Sequence, residues 1–338
     1  MNKDIYKYIN EYGDYSFEEE ELNIIDYLIF SCLSYMNFES VGNNVKGFKE
    51  TVKNWLDLKR EDRFKGLYMM RRFINLPNSL VEKNRFNVIE VLSYVHDVFK
   101  DIDKQFDAVT FKLPNKRIIV SFMGSDNSLY SWKEDLNMSY LDDTPSQILA
   151  LNYLKEISNK YIDHEINICG YSKGGNLALY SSLKSDIELK KRISDVYVFD
   201  GPGFYKNLFN DENLLCLKDK IKLYIPSSSI VGKLLINMSY KNIASRNISI
   251  FQHEISSWKI RGKDLVYKNK SSKFSLFIAN TINKFVYKHK RDDIRKYINE
   301  MFNKFEENNI YVMKDIRKNV FSFIGTIIKV LRKAKGDI

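Results

Sequence analysis

Leu22, Ile25, Ile29 and Leu33 recur at helical spacing behind Ser16-Phe17-Glu18-Glu19, a run with the form of a capping box. The chain is therefore predicted to open with a helix docked by its apolar face. Residues 44–100 continue as looser helix with basic and aromatic positions mixed (Lys46, Trp55, Arg63, Arg71, Arg72), a helical insertion or cap. At Phe106 the period changes. "FDAVTFKL" and "KRIIVSFMG" are β-type runs on either side of Pro114-Asn115 and predict a hairpin. A loop (124–143), a helix over 144–161 and a strand over 165–169 follow, and after the next helix come strands at "DVYVFD" (195–200), "KIKLYIP" (220–226) and "NISIFQ" (247–252). Residues 272–335 return to helix. Alternating strand and helix implies parallel pairing with right-handed crossovers, hence an α/β fold with a mostly parallel central sheet. The expected organisation is an N-terminal helix and helical cap (1–105), an α/β core (106–260) and a basic helical extension packed on the core (261–338).

Composition narrows the class. With 338 residues, 44% of them apolar, the chain can bury a large core. Its three cysteines, Cys32, Cys169 and Cys216, stand in apolar contexts and read as small core residues, which fits a reducing compartment better than a disulfide framework. The first residues lack the apolar stretch of a secretion signal, and no run reaches the length of a membrane span. A cytoplasmic protein is expected, with peripheral membrane contact as the variant that charge permits. The net charge of +10 is unevenly placed: residues 259–338 carry 20 Lys or Arg against 8 Asp or Glu, so the tail holds +12 and the rest of the chain −2. No metal-ligand spacing and no phosphate-binding loop accompanies it, so neither metal nor cofactor is expected.

The chemistry concentrates at Gly170-Tyr171-Ser172-Lys173-Gly174. A serine between a strand and a helix, with glycine two positions before and after, is the sequence form of a nucleophile elbow. The glycines let the backbone turn sharply and the helix pack closely. Ser172 is the candidate nucleophile, and the amide of Lys173, at the positive end of the helix, a candidate oxyanion donor. A general base should follow in the chain. His96 and His164 precede Ser172, and His289 lies in a cationic Lys288-His289-Lys290-Arg291 run expected to be solvated, which leaves His253, ahead of "EISSW". The acid is less direct, because the Pro226-Ser227-Ser228-Ser229-Ile230-Val231-Gly232 loop carries no carboxylate. Asp200, heading Asp200-Gly201-Pro202-Gly203 at a strand end, can orient His253 or merely cap the turn. Gly124-Ser125 ends the hairpin, where Ser125 can supply a second oxyanion amide or form a plain turn.

"FMGSDNSLYSWKEDLNMSY", "GYSKGGNLALYSS", "VFDGPGF", "PSSSIVGKLL" and "FQHEISSW" resemble, in order and spacing, the motifs of the bacterial Mbeg-like domain-of-unknown-function family. That family is similar to the class 3 (triacylglycerol) lipases of the α/β-hydrolase superfamily. The resemblance covers about residues 12–260. It implies an α/β-hydrolase-like fold, with Ser172 as nucleophile, His253 as base and Ser125 with Lys173 at the oxyanion hole. Two departures stand out. In the class 3 lipases the acid lies where this chain has Ser228 to Val231, so Asp200 would be a relocated acid, and Met123 occupies a position where the lipase-like motif usually carries arginine.

The expected function is hydrolysis of an acyl ester, small or lipid, by a serine esterase or lipase through Ser172, His253 and Asp200. The alternative is a hydrolase-like scaffold that has lost turnover and binds a partner or an anionic membrane. Ile316, Val320, Phe323, Ile324, Ile327, Ile328 and Leu331 form one helical stripe beside Arg317, Lys318, Lys329, Arg332 and Lys333. Such a helix packs its stripe on the domain or lies on an anionic bilayer. Specific nucleic-acid binding is not expected, since no recognition motif accompanies the charge.

Overall fold

The alternation that begins near Phe106 builds the middle of a nine-stranded sheet. In the computed structural model, which describes residues 3–39, 45–65 and 72–310, the strands are β1 (Lys46–Gly47), β2 (Glu90–Phe99), β3 (Lys104–Leu113), β4 (Arg117–Phe122), β5 (Glu165–Tyr171), β6 (Ile193–Phe199), β7 (Ile221–Pro226) and β8 (Lys241–Ile243). They lie side by side in chain order. β1 to β4 pair antiparallel and β4 to β8 parallel. β9 (Ile260–Arg261) and β10 (Asp264–Leu265) form a separate hairpin, and β11 (Tyr267–Lys268) closes the far edge antiparallel to β8.

The helices are α1 (Lys3–Tyr12), α2 (Ile24–Leu33), α3 (Phe48–Asp57), α4 (Leu76–Val81), α5 (Asn84–Asn87), α6 (Leu129–Asn137), α7 (Pro145–Lys160), α8 (Lys173–Lys184), α9 (Ile187–Arg192), α10 (Asp211–Leu214), α11 (Lys273–Lys288) and α12 (Arg291–Glu307). Parallel strands added in chain order through crossovers of one hand put those crossovers on one face. α7 and α8 fill that face, burying Ile118, Val120, Ile168, Val196 and Val198. The alternate residues, Ile119, Cys169, Tyr171, Tyr197 and Phe199, need a second cover, and the N-terminal helices provide it. α2 is accordingly buried along its whole length, including Asp26, which meets the equally buried Arg85 at 2.6 Å. None of the described helices is long and apolar enough to cross a membrane.

Several local expectations need correction. The Ser16–Glu19 box forms, but it closes a turn, and α2 starts later behind its own box, Asn23 with Asp26. The helix expected through residue 100 gives way to β2, whose register shifts between Val91 and Ser93. Val91 and Leu92 are buried on opposite faces of the sheet, both of which are covered, so β2 begins without the apolar–polar alternation that marks a half-exposed strand. The 124–143 loop contains α6, capped by the Ser128 hydroxyl. The expected strand at 247–252 is instead a 3₁₀ turn, Ser249–His253, entered with Ser249 at φ 52°. Cys216 is exposed, not a core residue. His289 is half-buried rather than fully solvated; its ring packs on Phe285 and Tyr297. In the tail, α12 buries Ile294, Ile298, Phe302 and Phe305 in a cluster with Leu129 of α6 and Tyr140. The amphipathic stripe at 316–331 and Arg71 lie outside the described residues.

Candidate functional site

β5 ends at Tyr171 and α8 begins at Lys173, so Ser172 alone turns the chain. It does so at φ 60° and ψ −129°, a conformation costing a non-glycine residue about 1–3 kcal/mol. The flanking glycines are a packing requirement. A Cβ on Gly170 would stand 2.1 Å from the Gly174 carbonyl oxygen, and one on Gly174 would stand 2.1 Å from that of Phe122. The Ser172 N–H donates to the Phe199 carbonyl at 2.9 Å, tying the turn to β6.

Two other segments converge on Ser172. Its Oγ lies 3.0 Å from Nε2 of His253, whose Nδ1 lies 2.7 Å from Oδ2 of Asp200. An ionised carboxylate only accepts, so this bond places the proton on Nδ1 and leaves Nε2 to accept from the serine. Asp200 follows β6 at φ 50°, a left-handed angle that aspartate tolerates. The carboxyl-free 226–232 loop holds it. The Ser229 hydroxyl donates to Oδ2 at 2.5 Å and the Gly232 N–H to Oδ1 at 3.0 Å. A side chain on Gly232 would meet that same Oδ1 at 2.6 Å. Lys233 fastens the loop by donating to the carbonyls of Pro226, Ser227 and Ser229, and burial pushes its ammonium down to about 8 although Asp200 pulls the other way.

Tyr171 positions the histidine twice. Its ring stacks on the imidazole at 4.9 Å, and its hydroxyl donates to the His253 carbonyl at 2.5 Å. Gln252 accepts from the Ser228 N–H at 2.7 Å, and its carbonyl accepts from the Trp258 indole at 2.8 Å. The C-terminal end of the 3₁₀ turn is thus held by β5, the 226–232 loop and Trp258.

On the opposite side of Ser172 lies the 124–125 loop. The Gly124 N–H donates to the Tyr35 hydroxyl at 3.1 Å, which anchors the loop where Met123, buried in the core, cannot. The Ser125 hydroxyl donates to Oδ2 of Asp135 at 2.5 Å. The Lys173 amide belongs to the first turn of α8, where helix geometry offers it no intrahelical acceptor. Its side chain runs the other way, into a sealed polar cluster with the Gln105 carbonyl (2.8 Å), Gln105 Oε1 (2.8 Å) and Glu134 (3.0 Å). Burial opposes the ammonium, but Glu134 and Asp135 outweigh it and hold its pKa above the usual lysine value. Asp135 is pushed up to about 6 by desolvation, against the pull of Lys173 and Ser125.

Ser172, His253, Asp200, Ser125 and Lys173, singled out from the sequence with Gly170 and Gly174, therefore meet in one place. Sequence reasoning passed over Glu134, Asp135, Ser229, Gly232, Tyr35 and Tyr171. Only the adjacent carboxylates of "SWKEDL" carried a visible signal, two acids in a stretch that folds as the half-buried helix α6.

Residues 80–303, about two thirds of the chain, match the Mbeg1-like family, and the protein belongs to it. Among solved structures it is similar to the M37 lipase (18% identity, 61% of this chain and 68% of that one, TM-score 0.40). It is also similar to the lipase from Rhizopus microsporus var. chinensis (12% identity, 74% and 81%, TM-score 0.41). A curated relative, N-acetyl-gamma-glutamyl-phosphate reductase of Buchnera aphidicola, is 26% identical over 290 residues, 78% of this chain and 83% of that protein. Likenesses this distant do not carry an activity across. What Ser172 and its neighbours can do follows from their own geometry.

Proposed function

We propose that the protein is a serine hydrolase that cleaves an acyl ester. The observation that carries this is the unbroken hydrogen-bonded line from Asp200 through His253 to Ser172 on a strained elbow. In the reaction, the Ser172 Oγ–H proton passes to His253 Nε2 as Oγ bonds to the ester carbonyl carbon. The carbonyl electron pair moves onto oxygen, where the Lys173 and Ser125 amides stabilise it. Collapse breaks the bond to the leaving alkoxide, which takes the proton from His253. Water, deprotonated by the same imidazole, then releases the acid from the acyl-enzyme. Asp200 keeps Nδ1 protonated and stabilises the imidazolium. The buried, three-donor seat of Asp200 favours turnover over an inert scaffold, since a carboxylate that merely capped the 200–203 turn would not need to reach His253.

A fluorophosphonate probe tests this reading. Labelling is expected at Ser172 and lost in Ser172→Ala and His253→Ala, and Asp200→Asn is expected to lower kcat on activated acyl esters by about 10³–10⁴-fold. Absence of labelling in folded protein, together with no ester turnover, would refute it.

A further inference from the structure

We infer that the outer face of α11 and the turn carrying His253 together form a docking surface for an anionic lipid bilayer. On α11, Ser275, Ala279 and Val286 face the protein, while Phe274 and Phe277, three residues apart and on one side of the helix, are 60% and 66% exposed. Leu276 and Ile282, at 36% and 40%, are less exposed and lie off that side of the helix. On the neighbouring turn, Ile248 and Phe251 are 77% and 65% exposed. Single exposed apolar residues are ordinary, but a run of them on adjacent elements is not.

The two elements meet through one loop. The Ser227 carbonyl accepts from the Ser272 N–H at 2.7 Å and from the Ser275 hydroxyl at 3.2 Å, and the adjacent Ser228 N–H donates to Gln252, beside His253. The apolar surface therefore borders the side of the molecule that holds Ser172.

Charge selects the occupant. Residues 265–291 contain seven Lys or Arg and no Asp or Glu. Two copies of this face would repel one another. Phe and Ile side chains offer no hydrogen bonds to a polar partner, whereas a bilayer with acidic headgroups takes up both the hydrocarbon and the lysines. The expected contact through the 316–331 stripe is a separate segment outside the described residues. Docking does not depend on turnover, although on the ester-hydrolase reading it would bring Ser172 to substrate held in the membrane.

The test is co-sedimentation of the full chain with vesicles of phosphatidylcholine alone and of phosphatidylcholine with phosphatidylglycerol, at low and high salt. Binding is expected to the acidic vesicles and to weaken with salt. Phe274→Ser/Phe277→Ser is expected to bind at least about a hundredfold more weakly, since two phenyl rings are withdrawn from the bilayer, while its melting temperature and probe labelling stay unchanged. Lys270→Glu/Lys273→Glu should lose the preference for acidic lipid. Ser172→Ala should bind as the unaltered chain does, which separates docking from catalysis. Wild-type protein that stays in the supernatant, or a Phe274→Ser/Phe277→Ser variant that pellets like wild type, would overturn the proposal. So would a dimer in solution that this variant dissolves, which would assign the face to a second copy.

Discussion

Asp135 sits within reach of a buried ammonium and still holds its proton up to about pH 6, because desolvation outweighs the pull of Lys173 and of the Ser125 hydroxyl. One of its oxygens, Oδ1, is buried without a hydrogen-bond partner. A carboxyl whose folded pKa lies above its unfolded value binds more protons folded than unfolded, so stability falls as pH rises between the two values. The cost is absent below about pH 4 and complete above about pH 6. Asp135→Asn keeps an acceptor for Ser125 and removes the charge. It is expected to stabilise the protein by about 1–3 kcal/mol at pH 8, with the gain vanishing near pH 4; urea denaturation of both proteins across that range measures it. Ser172, His253 and Asp200 were legible in the sequence because their residue types and chain order are constrained by the chemistry. Ser229 and Gly232 were not, because what marks them is the atom each one touches.

At the scale of elements, the side of Ser172 proposed to hold the oxyanion is a junction between α6 and α8. Lys173 brings its amide to Ser172 and its ammonium to Glu134, and the neighbouring Asp135 holds Ser125. Glu134 also accepts from the Gln105 N–H and from the amide and hydroxyl of Ser146, so the cluster ties β3, α6, α7 and α8 into one piece. Lys173→Met leaves Glu134 charged and unpaired in a sealed site, with an expected loss of about 3–5 kcal/mol. Lys173→Met/Glu134→Gln should recover part of it, a coupling of about 1–3 kcal/mol in a double-mutant cycle followed by thermal melting. This junction was hidden in the sequence because its partners come from four elements and stand 10 to 68 residues apart in the chain. His253 was found for the right region and the wrong element. Its segment alternates like a strand but turns as 3₁₀, since the free edge of β8, where another strand would pair, is taken by β11.

For the molecule as a whole, the chain-order sheet leaves one face to be covered by the N-terminal helices, and Arg85 fastens them. Its guanidinium meets both oxygens of Asp26 and donates to the carbonyls of Glu20 and Glu21 at 2.7 and 3.0 Å, with those of Tyr15 and Ser16 also in reach. Arg85→Met strands a buried carboxylate and these carbonyls, and is expected to cost about 3–5 kcal/mol. Arg85→Lys should recover little, because an ammonium cannot match the planar fork; guanidinium denaturation of the two variants compares them.

The sequence by itself determined the strand–helix alternation, the elbow at Ser172 and the order of its partners, because local sterics and the needs of the proposed acyl transfer restrict which residues stand at those places. Only the tertiary structure decided that Asp200 faces His253, that a loop without a carboxylate becomes its seat, and that Lys173 turns its side chain away from the serine it flanks. Each of these depends on which distant segments the folded sheet sets side by side, and local pattern carries no record of that.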